Sequence, residues 1–444
     1  MSGTQKILGI IGGGLAGIAA ADAASTQGCR VHLFERAGVL GGRGASLWEP
    51  TKQQWIDTGQ HLILGCCTET LALNKRLGLD SCFERSDTIP FVSLKQQHWS
   101  LSALPFLPKQ WQLLPSFFAE PLMTIGERIK TGLLLRRLGS ESVSDITMAE
   151  WFKQHKVSQN ALDVFWQPLI LSTLSEMPDY VAAKALQKVI REGFLAGRNA
   201  MAIYLPTAPL RTIYHSTAAK SLAGREITLH YFKRLRRLHW EKKDTEQLPT
   251  ITALEFADGA VETFDRYILA IPAFQLWKVL EASELSLCAE QLGLERFEPG
   301  AITTVHLWLD HPVLKSGKRH CVLSGGIGQF LCVPSNDETY HTVVISAAHR
   351  LLSDTEMSGS PYLAEQIMEQ LRTTFGMPTL QLRHCRTTTC FEAVFSPKPE
   401  VYVQRPESRG LFTNGTIAGD WTKTGFPSTL EGAVRSGIIA AQTR

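Results

Sequence analysis

The stretch KILGIIGGGLAGIAAADAAS, Lys6 to Ser25, decides the fold. Residues 6–11 are a short apolar run suited to a buried parallel strand, and Leu15 to Gln27 carry the small apolar residues of a packed helix. CRVHLFE, residues 29–35, supplies the next strand, so strand, glycine turn, helix and strand make a βαβ unit. Between strand and helix, Gly12, Gly14 and Gly17 fit G-x-G-x-x-G. The first glycine makes the tight turn, the second lets a pyrophosphate approach the backbone, and the third lets helix pack on strand. Leu15 and Ala16 fall in the helix's first turn, whose backbone N–H groups face the phosphates. Glu35 ends the second strand, where a carboxylate can bind ribose hydroxyls, and Arg36 follows it. A glycine turn with no ligand is the competing reading, and the complete βαβ setting argues for a bound dinucleotide.

The totals agree with a large folded chain. Its 444 residues suffice for two or three domains or one fold with insertions, and 44% apolar content supports a full core. A net charge of +3 is too weak to argue for nucleic acid. Nine cysteines without repeated spacing indicate a reducing, cytoplasmic setting. The N-terminal run partly resembles a signal peptide, but five glycines break it. No stretch of about 20 apolar residues exists elsewhere, so nothing is expected to span a membrane.

Three further stretches carry chemistry. ERAGVLGGR, Glu35 to Arg43, brings Gly41, Gly42 and Arg43 close after the ribose-binding acid, which a nicotinamide site does not need. A surface turn is the plain alternative. TIAGDWTKTGFPSTLEGAVRSG places Gly419 and Asp420 at the end of a strand. There Ser428 and Glu431 have capping-box spacing ahead of a helix expected from 428 to about 442, with Thr429 between them. WIDTGQHLILGCC, residues 55–67, sets Asp57, Gly59, Gln60 and His61 ahead of Cys66 and Cys67. No His-x-x-x-His or Cys-x-x-Cys partner accompanies them and the two thiols are expected to point apart, so no metal is inferred. Either these polar residues act on a substrate or they hydrogen-bond a buried turn. GGIGQF, 325–330, lacks the last glycine and the helix of a second nucleotide site.

The glycine motif, Gly41-Gly42-Arg43 and Gly419-Asp420 together resemble the glutathione-reductase-like flavoproteins, in particular their amine oxidase and phytoene desaturase branch. DTGQHLILGCC, FWQPLILSTLSEMP and AGDWTKTGFPSTLEGAVRSG resemble the hydroxysqualene dehydroxylases over nearly the whole chain. That family commonly has Asn, Tyr and Leu where this chain has Thr58, Cys67 and Phe426. The resemblance implies an α/β fold: a Rossmann FAD-binding domain with a discontinuous α+β substrate domain. The expected FAD-binding parts are 1–100, 206–272 and 396–444. A mostly helical substrate-domain insertion is expected over 101–205, and a substrate-domain sheet and helix over 273–395. Arg43 is expected near the pyrophosphate or flavin, Asp420 at the ribityl or pyrophosphate, and the last helix facing the pyrimidine edge.

The implied reaction reduces hydroxysqualene to squalene. An allylic C–O bond breaks, and reduced flavin hands a hydride to that carbon. His61, with an ordinary pKa of about 6.5, is the expected proton donor. Gln60 would orient the hydroxyl, and Asp57 would fix the turn or hold His61 in one tautomer. Trp111, Phe117, Phe118, Phe165, Trp166 and Leu169 either wall an apolar tunnel or pack a core. Lys130, Arg136 and Arg137 flank TGLLL, so that segment suits an anionic membrane surface or a solvated helix face. An oxidative carotenoid-type desaturase or amine oxidase is the alternative enzyme, and a flavin-free prenyl-lipid escort the non-catalytic one. The electron donor is not legible.

Overall fold

The structure is a computed structural model that describes residues 5–443 apart from 244 and 246. Strand β1 (Ile7–Ile11) is followed by helix α1 (Leu15–Thr26) and strand β2 (Arg30–Phe34), which runs parallel to β1 with Ile11 opposite Phe34. Three later segments complete the sheet: β3 (Ile227–His230), β4 (Arg266–Leu269) and β5 (Gly415–Ile417). All pairs are parallel, in the order β3-β2-β1-β4-β5. Strands buried on both faces read as unbroken apolar runs, which is why ILGII was visible in the sequence.

Two close approaches set α1 in place. Gly12 has φ +106°, and a Cβ there would sit 2.3 Å from the Ala270 carbonyl oxygen. A Cβ on Gly17 would sit 1.8 Å from the Gly12 carbonyl oxygen. On its other side, α1 packs against the terminal helix α5 (Leu430–Gln442), where a Gly437 Cβ would lie 2.0 Å from the Ala16 carbonyl oxygen. The alanines of α1 are thus buried nearly all round between sheet and helix.

A second sheet has seven strands, in the order 382–395, 299–309, 340–345, 330–332, 320–324, 88–93 and 98–102. Residues 88–102 therefore lie outside the nucleotide-binding part expected to reach residue 100. Ile89, Phe91, Trp99 and Leu101 share a core with the helical insertion, and that burial draws them to the second sheet. Asp258-Gly259 turns a short hairpin (Glu255 opposite Val261), and the apolar run after it leaves to become β4. GGIGQF is a turn between the strands at 320–324 and 330–332.

Between them lies the insertion, which includes α3 (Leu114–Phe118) and α4 (Ile125–Ser140). Phe117, Phe165 and Trp166 are buried edge to face against one another, with ring centroids 5.0 and 5.3 Å apart. Leu169 is buried with them, Phe118 is exposed, and Trp111 lies beneath the Arg136 guanidinium. These residues serve the core and surface of the insertion rather than one apolar wall. No helix among the described residues is long and apolar enough to cross a membrane.

The α1–α5 contact leaves no room for a methyl group. Gly437→Ala should cost about 1–3 kcal/mol by overpacking and lower the melting midpoint by several degrees. Gly126→Ala, where an added Cβ meets nothing within 4 Å, should leave the midpoint unchanged or slightly higher. Thermal unfolding of both variants compares the two positions.

Candidate active site

The two glycine runs lie one over the other. Gly41 donates its N–H to the Gly13 carbonyl (2.9 Å), and a Cβ on Gly42 (φ +59°) would lie 3.0 Å from Gly14 Cα. Glu35 fastens this layer, its buried carboxylate accepting from Gly13 N–H (2.7 Å) and Ala37 N–H (2.8 Å). Gly14 precedes α1 with no side-chain cap, and no acidic residue sits in the first turn. The first N–H groups of α1, at Leu15 to Gly17, are thereby left for an anionic ligand. Arg36 is exposed.

The chain's C-terminal segment meets this layer through Arg43. Its guanidinium pairs with Asp420 and donates to the Ala393 carbonyl (2.8 Å), a group of the second sheet. Burial disfavours the charge on Arg43, but Asp420 outweighs it and raises the guanidinium pKa above its usual value. Ser428 also donates to Asp420, and Gly419 N–H donates to Ser436 Oγ (2.8 Å).

The expected capping box at Ser428 and Glu431 does not form. Thr429 is the N-cap of α5 and accepts from Gly432 N–H (3.2 Å), because Ser428 is taken by Asp420. Glu431 instead closes the start of another helix, α2 (Thr68–Arg76), accepting from Glu69 N–H (3.1 Å), Thr70 N–H (2.9 Å) and Thr70 Oγ (2.8 Å).

The loop at 57–61 stands beside Arg43. Asp57 accepts from Ser46 Oγ (2.5 Å) and Leu210 N–H (2.9 Å), so it fixes the loop. It does not set the His61 tautomer. The Gly59 carbonyl does that, 2.9 Å from His61 Nδ1. A carbonyl only accepts, so Nδ1 carries the proton and Nε2 keeps its lone pair. Burial lowers the His61 pKa, the Gly59 bond opposes this, and Arg43 lowers it further. Burial thus favours the neutral ring, whose Nε2 lone pair is available to accept a hydrogen bond. Gln60 Oε1 is 3.5 Å from Thr342 Oγ1, and Gln60 Nε2 is buried without a partner. Such an orphaned donor is costly unless a ligand uses it.

Sequence reading missed the residues behind this loop. Thr388 Oγ1 donates to the Thr58 carbonyl (3.0 Å) and touches His306 Nε2 (3.1 Å), while His306 Nδ1 meets the Tyr340 hydroxyl (2.8 Å). Burial presses the His306 pKa down to about 3. All three lie on strands of the second sheet, and only their pairing across it brings them together. The neighbouring Cys66 thiol and burial together raise the Cys67 pKa. Among the described residues no group of three or more His, Cys, Asp and Glu side chains could hold a metal ion.

The family model for flavin containing amine oxidoreductases matches residues 15–443. The chain belongs to that family. This flavoprotein is an FAD-dependent oxidoreductase, and the layered glycines, the uncapped start of α1 and the orphaned Gln60 amide fit a large anionic cofactor beside a polar ligand. Hydroxysqualene dehydroxylase of Zymomonas mobilis is 25% identical to it, covering 98% of each chain. The Sinorhizobium fredii protein of that name is 26% identical, covering 98% of this chain and 97% of its own. A probable zeta-carotene desaturase of Synechococcus elongatus is 22% identical, with 98% and 97% covered. Among solved structures, an oxidoreductase from Methanosarcina mazei shares the fold of this flavoprotein, with a TM-score of 0.72 at 15% identity over 97% and 98% of the chains.

Burial of Asp57 outweighs its two hydrogen bonds and raises the carboxyl pKa to about 6. The folded state therefore holds this proton more tightly than the unfolded state. The cost of ionising Asp57 is absent below the unfolded pKa, grows from about pH 4 to pH 6, and is complete above that. Asp57→Asn should gain on the wild type across this window by on the order of 2 kcal/mol. Melting midpoints of the two holoproteins between pH 4 and pH 7 check this, and a constant difference across the window would contradict it.

Proposed function

We propose that this flavoenzyme reduces an allylic alcohol on a long isoprenoid, converting hydroxysqualene to squalene. The observation that carries the reading is the end-to-end match to two proteins named hydroxysqualene dehydroxylase, combined with an orphaned amide and a neutral imidazole in the D-T-G-Q-H loop. The backbone amides from Gly12 to Gly17 would hold the FAD pyrophosphate, with Glu35 at the ribose and Arg36 at the outer rim. Gly41, Gly42, Arg43, Gly59, Gly419, Asp420, Ser428 and Thr429 enclose the flavin half. Bound FAD supplies the electron pair.

The loop handles the hydroxyl. Gln60 Nε2 donates to the substrate oxygen, and His61 Nε2 accepts the hydroxyl hydrogen. That pairing satisfies the stranded donor and fixes the C–O bond in one direction. The C–O bond breaks, and the oxygen takes up a proton supplied by solvent and leaves as water. The carbon gains a hydrogen, so two electrons and two protons balance the change. The half-buried loop limits the access of bulk water to the carbon during the step. A carotenoid-type desaturase is the second reading, supported by the 22% match to the zeta-carotene desaturase.

Chemically reduced holoenzyme given hydroxysqualene without oxygen should form squalene in step with flavin reoxidation. No squalene, together with flavin reduction of the oxidised enzyme by a carotenoid precursor, would transfer the assignment to the desaturase. His61→Ala should keep its FAD absorbance and, by loosening the hydroxyl's orientation, lose roughly a hundredfold in turnover. Unchanged turnover would remove His61 from the mechanism.

A further inference from the structure

Four large apolar side chains of α3 and α4 lie on the surface of the insertion: Phe118 is 52% exposed, Ile125 68%, Ile129 44% and Leu133 51%. Ile125, Ile129 and Leu133 recur every fourth residue along α4, so they form a single outward stripe. Arg128 ties the start of α4 to α3 through the Phe118 carbonyl (2.9 Å), which places Phe118 beside the stripe. A narrow apolar groove opens between the two helices, with Trp111, Leu114, Gly132 and Leu195 on its walls. Contiguous apolar surface of this kind marks an interaction site.

The charges around the stripe select its occupant. Residues 104–140 hold five basic and two acidic side chains. Both acids are already engaged by protein donors. Glu120 is buried and accepts from Leu122 N–H (2.6 Å) and Met123 N–H (2.7 Å). Glu127 is bound by Ser158 Oγ (2.5 Å) and by the cap of α4. Arg136 continues the stripe by one turn over Trp111, and Lys130 and Arg137 flank it, with Arg137 paired to Glu141. An apolar stripe edged with cations is what an interfacial helix presents to anionic lipid. A symmetric dimer through the same face would set these cations against their own copies.

We propose that α3 and α4 dock this protein on the surface of an anionic lipid bilayer, with the Ile125–Ile129–Leu133 stripe below the headgroups and Lys130 and Arg136 among them. The inference rests on the surface alone and does not depend on the hydroxysqualene reading. Purified holoenzyme should co-sediment with phosphatidylglycerol vesicles at low salt, release as salt rises, and bind phosphatidylcholine vesicles far less. Ile125→Ser/Ile129→Ser/Leu133→Ser should keep the flavin spectrum and melting midpoint, since these side chains are exposed, and lose co-sedimentation. Lys130→Glu/Arg136→Glu should weaken binding by roughly fivefold or more for each basic residue removed. Three outcomes would overturn the proposal: wild-type protein left in the supernatant, equal binding to phosphatidylcholine, or a triple-serine variant that binds as well as wild type. A wild-type dimer that the triple-serine variant dissolves, without lipid binding, would reassign the face to a second copy of this chain.

Discussion

The pair between Arg43 and Asp420 joins residues 377 positions apart in sequence. Arg43 follows the second glycine run, and Asp420 lies between β5 and the last helix. The Ala393 carbonyl adds a third attachment from the second sheet. One guanidinium therefore holds three segments in register around the cofactor site. The rest follows from it: Ser428 is drawn to Asp420, the cap of α5 passes to Thr429, and Glu431 is left to close α2. A partly buried ion pair owes its value to such geometry more than to its charge, because desolvation offsets much of the Coulomb gain.

The second constraint acts on the loop at 57–61. It is held at one end by Ser46 and Leu210 through Asp57, and at its middle by Thr388 through the Thr58 carbonyl. What remains free is a buried amide hydrogen donor on Gln60 and the Nε2 lone pair of His61. A donor and an acceptor in one loop, both without protein partners, match the two faces of an alcohol. Burial lowers the His61 pKa and the nearby charge of Arg43 adds to it, so the residue that joins the chain ends also bears on this loop.

Much of this was legible in the sequence because it is local. β1, α1 and β2, the glycines at 12, 14 and 17, and Glu35 depend on neighbours within one βαβ unit, and composition and spacing carry them. Gly419-Asp420 could be recognised at the end of a strand for the same reason. The parts that were misread depend on distant partners. Ser428 had the spacing of a cap, but its hydroxyl goes to a carboxylate that local pattern does not weigh. Residues 88–102 alternate like any strand, and only the core they share with Trp166 assigns them to the second sheet. His306, Tyr340 and Thr388 are ordinary strand residues until cross-strand register brings them behind the loop. The aromatics of the insertion show the same limit, since a buried Phe reads alike in a core and in a tunnel wall.

The central claim is that Arg43 and Asp420 act as one unit in holding the flavin. It is tested most directly by titrating FAD into apoprotein carrying Arg43→Met, Asp420→Asn, or both. If the two side chains form one clamp, each single variant should weaken FAD binding by at least about tenfold, and the double variant should be no weaker than the worse single one. Wild-type affinity in either single variant, or losses that simply add in the double, would contradict it.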